Sequence, residues 1–411
     1  MTSLTGFTPG HDWVWYAPHT TDQYNKKEIA AVTRTLKNGW LTTGKATAEF
    51  EEKTARLFGK RYGLFVNSGS SANLISLAAL GLPKGSEVIT PACTFSTTLN
   101  PLLSYGLTPV FVDVALGRYV MEPERIERAI TRKTSAIMVP HLIGNFADMP
   151  AIKKLIQGKN IKIIEDSCDA IGGTIHGKPS GKWSDAVTTS FYASHIITTG
   201  GAGGIVATND KALRERMRVM RDWGRGISRH DENIRSRLAS YRIDGRPYDS
   251  AFVFVERGYN LRPTEMQAAF GLAQLPKLKT RMRVRARNFR ALRNFFSRYE
   301  EFFILPEPLP NSVTNWLAFP LTIRKDAPFT RNAFVTYLEG EKIQTRPLFS
   351  GNILKHPAYR GIPHRISGTL AYSDLILQNS LLLGLHHGIT EPMITYLSET
   401  VEDFLKKYVR V

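Results

Sequence analysis

The chain has 411 residues, 42% of them hydrophobic, with 54 Lys and Arg against 36 Asp and Glu and a net charge of +18. That apolar content is ample for a large core shared by two or more domains, and the chain has no run of about 18 apolar residues of the kind that crosses a membrane. Cys93 and Cys168 are the two cysteines, too few for a disulfide framework or a four-thiolate metal or iron–sulfur site in one chain.

Residues 1–25 read as an irregular N-terminal segment rich in Trp, Tyr and Thr, without the basic start and apolar centre of a secretion signal, so a cytoplasmic location is expected. KKEIAAVTRTLKNG (26–39) reads as an amphipathic helix closed by Gly39, and a second helix ends at Gly59. YGLFVNSG (62–69) is a strand entering a tight turn, followed by the helix SANLISLAALGL (71–82). EVITPAC (87–93), PVFVDV (109–114), SAIMVPHL (135–142) and IKIIEDS (161–167) are short β-branched runs, several of them separated by helical stretches such as 122–130 and 149–158. This alternation predicts an α/β fold with a mostly parallel sheet covered by helices on both faces. A further helix is expected over 211–224, and residues 225–258 read as a long Arg-rich loop. Thr264 is positioned to cap the helix after it. KLKTRMRVRARNFRALR (277–293) is the densest basic run, with Leu278, Met282, Phe289 and Leu292 at roughly helical spacing. It reads as a helix facing solvent or another subunit rather than as a nucleic-acid site. The predicted organisation is a large domain over residues 26–278 and a smaller α+β domain over residues 279–411.

Three stretches carry chemistry. NSGSSAN (67–73) lies between a strand and a helix, where small residues and a helix N-terminus suit a phosphate. A tight βα turn is the plainer reading of the same residues. IIEDSCDA (163–170) puts Asp166 at the carboxyl end of a strand, where open α/β sheets bind ligands. A carboxylate there would pair with a protonated ring nitrogen, or would only cap the next turn of helix. SFYASHIITTGGAGG (190–204) sets His195 between a strand-like run and a glycine cluster.

Together and in this order, with GWLTTG (39–44), PACTFSTTLNP (91–101), GYNLRPTEMQAA (258–269) and TRPLFSGN (345–352), these stretches resemble the DegT/DnrJ/EryC/StrS-type sugar aminotransferases and dehydratases. That family uses pyridoxal phosphate (PLP) on the aspartate-aminotransferase fold, PLP fold type I. The resemblance implies that Ser70, Ser71 and Ser190 hold the cofactor phosphate and that Phe95 stacks on its ring. It implies that Asp166 keeps the ring nitrogen protonated, so that the ring acts as an electron sink, and that Asp169 stands where a glutamine usually meets the ring hydroxyl. It further implies that Asn260 reaches a phosphate in a neighbouring subunit, which makes the expected state a homodimer with shared sites. Thr43 and Arg346 are expected to bind substrate, Arg346 by meeting a sugar diphosphate through its fork of donors; pairing with a carboxylate in the small domain is the equal alternative for Arg346.

At residue 195 the family majority has a lysine bound to the cofactor, and imidazole cannot form that bond. Imidazole moves protons near neutral pH, which suits a cofactor that arrives already aminated as pyridoxamine phosphate (PMP). A minority branch shares the replacement: the 3-dehydratases that act on nucleotide-linked 4-keto-6-deoxyhexoses. One form of that branch carries a two-iron, two-sulfur cluster and needs a reductase; the other regenerates PMP from L-glutamate. RDWGR (221–225) is followed by no cysteine, so the cluster-free form is expected, with His195 as the proton-transfer base and no bound metal. Nucleic acid and membrane are not expected partners. A related deoxygenation with a partner reductase, or a non-catalytic family member, is the alternative.

Overall fold

The computed structural model describes residues 7–18, 23–226 and 241–408. Helix α1 (Lys26–Asn38) opens on a capping box between Asn25 and Glu28 and closes on left-handed Gly39. Helix α2 (Lys45–Leu57) then leads into the main alternation. Strand β1 (Tyr62–Val66), helix α3 (Gly69–Leu80), strand β2 (Glu87–Pro91), helix α4 (Ser96–Ser104) and strand β3 (Thr108–Val112) follow in turn. Helix α5 (Pro123–Ala129), strand β4 (Thr134–Pro140), helix α6 (Met149–Leu155), strand β5 (Lys162–Asp166) and strand β6 (Ala186–Ser190) continue the pattern. Strand β7 (Gly204–Thr208) leads to helix α7 (Lys211–Arg221), and helix α8 (Glu265–Gln274) starts at the predicted Thr264 cap.

The second half of the chain contributes helix α9 (Leu278–Phe296), strand β8 (Phe303–Ile304), strand β9 (Phe319–Ile323), helix α10 (Arg331–Gly340) and strand β10 (Thr345–Pro347). Strand β11 (Arg365–Ile366), helix α11 (Ala371–Asn379), strand β12 (Ser380–Leu383) and helix α12 (Glu391–Leu405) complete it. The smaller antiparallel sheet runs β8-β9-β12-β10, backed by Phe296, Phe303, Phe319 and Phe334 in one apolar cluster.

The large sheet runs β1-β7-β6-β5-β4-β2-β3-β11. All its pairings are parallel except those of β7 with β1 and β6. Strands β2 and β6 are buried along their whole length, as expected when helices cover both faces of a sheet. Because β4, β5 and β6 are parallel neighbours, their carboxyl ends share one edge, and the chemistry gathers there.

Two strands of the large sheet escaped the sequence reading. Gly204–Thr208 follows the glycine cluster and was not separated from it, and Arg365–Ile366 is too short to register alone. The latter lies on the outer side of β3, and Ile353, Tyr359 and Leu370 pack with Leu77, Val88 and Leu99 of the large sheet's layers. Within the predicted loop, residues 227–240 lie outside the described residues; Arg242–Ile243 and Arg246–Pro247 pair as a short hairpin. The basic run forms the expected helix, but it does not give all its charges to solvent or to another subunit. Lys279, Arg283, Arg287 and Arg290 are not buried, but Arg281 and Arg285 are. Arg281 donates to the Ile196 carbonyl at 2.8 Å and to Gln274 Oε1 at 2.7 Å. A charge-dense sequence run cannot reveal which of its arginines face backbone carbonyls.

The entry to α2 rests on a distant carboxylate. Gly44 caps it without a side chain, and buried Glu265 instead accepts the N–H groups of Gly44 (2.7 Å), Ala46 (2.6 Å) and Thr47 (3.1 Å), with the Thr47 hydroxyl at 2.6 Å. A negative group at a helix N-terminus is favoured by the dipole and by the unpaired amides there. Glu265→Ala strands several of these donors and is expected to lower unfolding free energy by about 2–4 kcal/mol in urea titration. An alanine variant as stable as the parent would show that the cap contributes nothing.

Candidate active site

The carboxyl ends of β4, β5 and β6 and the first turn of α3 enclose a cavity of about 290 Å³. Ser70, Phe95, Asp166, Asp169, Ser190 and His195, six of the ten residues expected at the site, line it. They come from separate chain segments, which the parallel sheet brings to one edge.

Asp166 ends β5 and is buried. Its Oδ2 accepts from Asn73 Nδ2 and Thr98 Oγ1, both at 2.7 Å, and its Oδ1 accepts the Cys168 N–H at 3.2 Å. Asn73 is itself oriented by Thr188 Oγ1, which donates to Asn73 Oδ1 at 2.6 Å. All these donors are neutral, and among the described residues no ion pair reaches Asp166. A buried carboxylate is costly without a cation. In the same cavity, Ser68 caps α3 by accepting the Ser71 N–H at 3.0 Å, and Gly69 and Ser70 bring the first turn to its lining. The first N–H groups of a helix have no partner inside it. The approach is close: a Cβ on Gly69 would lie 2.6 Å from Ser190 Cβ, and one on Gly204 would lie 2.2 Å from the Ser68 carbonyl oxygen.

Phe95 is half exposed and meets Phe349 edge-on at 6.0 Å. Buried Asp169 accepts the Ile143 N–H at Oδ2, 3.0 Å away. Burial pushes its carboxyl up to about 7, against the Ile143 hydrogen bond and with help from the Asp166 charge. His195 follows Tyr192, which stands edge-on to it at 6.2 Å. Burial pulls the imidazole down to about 4, although the backbone of Ser190 and Cys168 favours the proton. Its Nδ1 is buried and has no hydrogen-bond partner among the described residues. No lysine lines the cavity among the described residues.

Four expected residues stand outside this cavity. Ser71 turns its hydroxyl to Ser68 Oγ and Asn67 Oδ1, at 2.9 and 2.7 Å. Thr43 is buried and accepts the Trp40 indole N–H at its carbonyl, 3.1 Å away. Asn260 is exposed and bridges to Asp222 through the backbone. Arg346 is exposed on β10, with its guanidinium 5.8 Å from the Tyr16 ring centre. Conversely, the sequence reading passed over Asn73 and Thr98, the two side chains that hold Asp166. Asn73 closes the quoted NSGSSAN, and Thr98 lies three residues beyond Phe95, one helical turn away. It also passed over His141, whose Nε2 lies 2.8 Å from Glu165 Oε2 with both side chains fully buried. A histidine at the end of β4 was open to the same strand-end logic that found Asp166.

These residues fit a pyridoxal-type cofactor. A helix start with two serines and close-packed glycines suits its phosphate, and an unpaired buried carboxylate suits its cationic ring nitrogen. Strand order and the position of the cavity at the strand ends place the molecule among the α/β proteins of aspartate-aminotransferase type, PLP fold type I. The chain belongs to the DegT/DnrJ/EryC1/StrS aminotransferase family, whose model matches residues 22–402. It is 40% identical over 383 residues to the dTDP-4-dehydro-2,6-dideoxy-D-glucose 3-dehydratase of Saccharopolyspora spinosa, covering 89% of this chain and 82% of that protein. It is 34% identical to the GDP-4-keto-6-deoxy-D-mannose 3-dehydratase of Yersinia pseudotuberculosis, covering 90% and 94%. Among solved structures, it superimposes on the E. coli GDP-4-keto-6-deoxy-D-mannose 3-dehydratase with bound hydrated PLP at a TM-score of 0.85 and 30% identity, covering 95% of this chain and 100% of that one. A GDP-4-keto-6-deoxymannose 3-dehydratase with a trapped PLP–glutamate geminal diamine matches at 0.84 and 30% identity, covering 94% and 99%.

The raised Asp169 carboxyl links stability to pH. The unfolded chain releases this proton near the ordinary aspartate value of 3.8, whereas the folded chain holds it up to about 7. Its contribution to stability is therefore complete below pH 3.8 and is lost as pH rises through about 7. In ligand-free protein, Asp169→Asn should gain on the parent as pH rises from 3.8 to about 7, and level off above that, in urea unfolding. A pH-independent difference would place Asp169 in the ordinary carboxylate range.

Proposed function

We propose that this protein is a PLP/PMP-dependent 3-dehydratase, acting in the cytoplasm, that removes the C3 hydroxyl of a nucleotide-diphosphate-linked 4-keto-6-deoxyhexose in dideoxysugar biosynthesis. One observation carries the reading: His195 lines the cavity beside Asp166, where the aminotransferase majority has its lysine, and no lysine lines it among the described residues. The 3-dehydratases matched by this chain act on both dTDP- and GDP-linked sugars by name, so the nucleotide is open between them.

Ser70, Ser190 and the start of α3 bind the cofactor phosphate. Phe95 lies against the ring, and Asp169 meets the ring hydroxyl. Asp166 holds a proton on the ring nitrogen. When bound in its amine form, the cofactor supplies an amine for the 4-ketone and a ring that takes up electrons while the C3 hydroxyl departs. His195 is neutral at physiological pH because burial lowers its basicity, and it accepts a proton from the exocyclic methylene of the cofactor. L-Glutamate restores the amine, a role supported by the PLP–glutamate adduct in the matched dehydratase structure.

The working unit of this proposal is a homodimer. Ile29, Leu36, Trp40 and Leu41 lie exposed on α1 and the loop after it, while Phe252, Phe254 and Val255 lie exposed before Asn260. Such apolar surface suits a second copy of the chain. Asn260 and Arg346, outside the cavity of a single chain, are then assigned to phosphate and substrate contacts in the assembled site, together with Ser71 and Thr43.

Incubation with PLP, L-glutamate and GDP- or dTDP-linked 4-keto-6-deoxyhexose should give a sugar product lighter by one oxygen atom in mass spectrometry, with 2-oxoglutarate and ammonia released, because glutamate supplies the two electrons that accompany loss of water. Recovery of unchanged sugar from both substrates would overturn the proposal. His195→Asn should keep PLP and lose dehydration by roughly a hundred- to ten-thousand-fold. His195→Lys should retain PLP through dialysis, with a visible absorbance shift, and lose dehydration as well. A lysine variant that dehydrates as fast as the parent would show that histidine does not direct this site to elimination.

A further inference from the structure

Where the second half of the chain meets the cavity wall, Ile143 has φ 58° and ψ 15°. A β-branched residue is disfavoured in this left-handed region and stays there only when its surroundings over-determine it. Its side chain is fully buried. Its carbonyl accepts the Leu317 N–H at 2.8 Å, and its own N–H donates to Asp169 Oδ2 at 3.0 Å. At the neighbouring Gly144, with φ 87°, a Cβ would lie 2.3 Å from the Asn315 carbonyl oxygen. The two backbones therefore touch with no side chain between them.

The far backbone is itself fastened. Arg285 on α9 is fully buried, and its Nη1 donates to the carbonyls of Trp316 at 3.0 Å and Leu317 at 2.8 Å. One helical turn along, Phe289 stacks on the Trp316 ring at 4.9 Å and 7°. Asn315 Nδ2 donates to the Ile171 carbonyl at 3.0 Å, two residues beyond Asp169. Helix α9 thus holds residues 315–317, these hold Ile143, and Ile143 holds Asp169.

We propose that Arg285 is a positioning residue for the cavity: by fastening the 316–317 backbone it keeps Ile143 left-handed, and so fixes where Asp169 stands. The arrangement leads somewhere chemical, because an N–H given to a carboxylate favours its ionised form. The charged or titratable groups around Asp169 are Asp166 at the end of β5, Cys168 beside it, and Tyr16 from the N-terminal segment. Burial and Asp166 both push the Asp169 carboxyl up, and the Ile143 N–H pulls it down. Loosening the 316–317 backbone therefore changes the protonation of a cavity group far from Arg285 in sequence.

The proposal rests on the reading of the cavity as a cofactor site only for its last measurement. In ligand-free protein labelled with 15N-isoleucine, the Ile143 amide resonance should titrate with a midpoint near 7 and stop titrating in Asp169→Asn. An amide that ignores pH in the parent overturns the inference before any Arg285 variant is made. Arg285→Gln and Arg285→Lys should each raise that midpoint by about half a unit or more. Lysine keeps the charge on a shorter stem and loses the planar guanidinium that holds Nη1 between the two carbonyls, so a lysine variant that titrates like the parent means charge, not fastening, and sinks the proposal. Lysine is also conservative in volume and carries the comparison if the glutamine variant does not fold. PLP affinity, read by absorbance, should fall roughly three- to tenfold in Arg285→Lys and not fall further when Asp169→Asn is already present. Equal losses in both backgrounds would make Arg285 merely structural. A parent protein that binds no PLP while its Ile143 amide still titrates would fault the cofactor reading and leave the fastening intact.

Discussion

A single buried carboxylate organises this molecule. Asp166 ends a central parallel strand with only neutral donors around it: an amide from α3, a hydroxyl from α4 and one backbone N–H. Those contacts fix its direction without neutralising its charge. In a protein interior that is an unfinished arrangement, and its natural completion is a cation in the adjoining cavity. The start of α3, which lines the same cavity, favours an anion. One part of the cavity lining thus calls for positive charge and another for negative charge, which is the charge pattern of a phosphorylated pyridinium.

The same cavity lining holds groups whose proton affinities burial has moved in opposite senses. The Asp169 carboxyl goes up to about 7 and the His195 imidazole goes down to about 4. Desolvation penalises whichever form is charged, so both tend toward neutrality in the buried wall. A neutral imidazole with a free, buried nitrogen is a base rather than an acid. A lysine at the same position would be a nucleophile toward an aldehyde, and that one difference separates proton transfer from covalent capture.

The cavity wall is also where the two halves of the chain become one device. Residues 315–317 from the second half grip the left-handed Ile143 of the loop after β4, and the Arg-rich helix α9 supplies the grip. Arg365–Ile366, also from the second half, completes the outer edge of the large sheet. The second half is therefore tied to the first by backbone contacts at several places, among them Ser312–Val313 against Thr174–Ile175 and the Ile353 N–H on the Ala92 carbonyl.

By itself, the sequence determined what depends on neighbours along the chain. The β-branched runs marked five of the large sheet's strands, Gly39 marked a helix end and Thr264 a helix start, and the strand ends announced Asp166 and the phosphate turn. The histidine at position 195 was visible only because the surrounding motifs placed it. Tertiary structure decided everything that depends on which carbonyl or carboxylate lies across the gap. Arg281 and Arg285 read as members of a solvated charge run and are buried, because the acceptors that accommodate them come from residues 23, 196, 274 and 316–317. Asn73 and Thr98 read as members of local motifs and turn out to hold the central carboxylate, 93 and 68 residues away. Periodicity and capping are local signals, whereas hydrogen bonds between distant segments exist only after the sheet order has set those segments side by side.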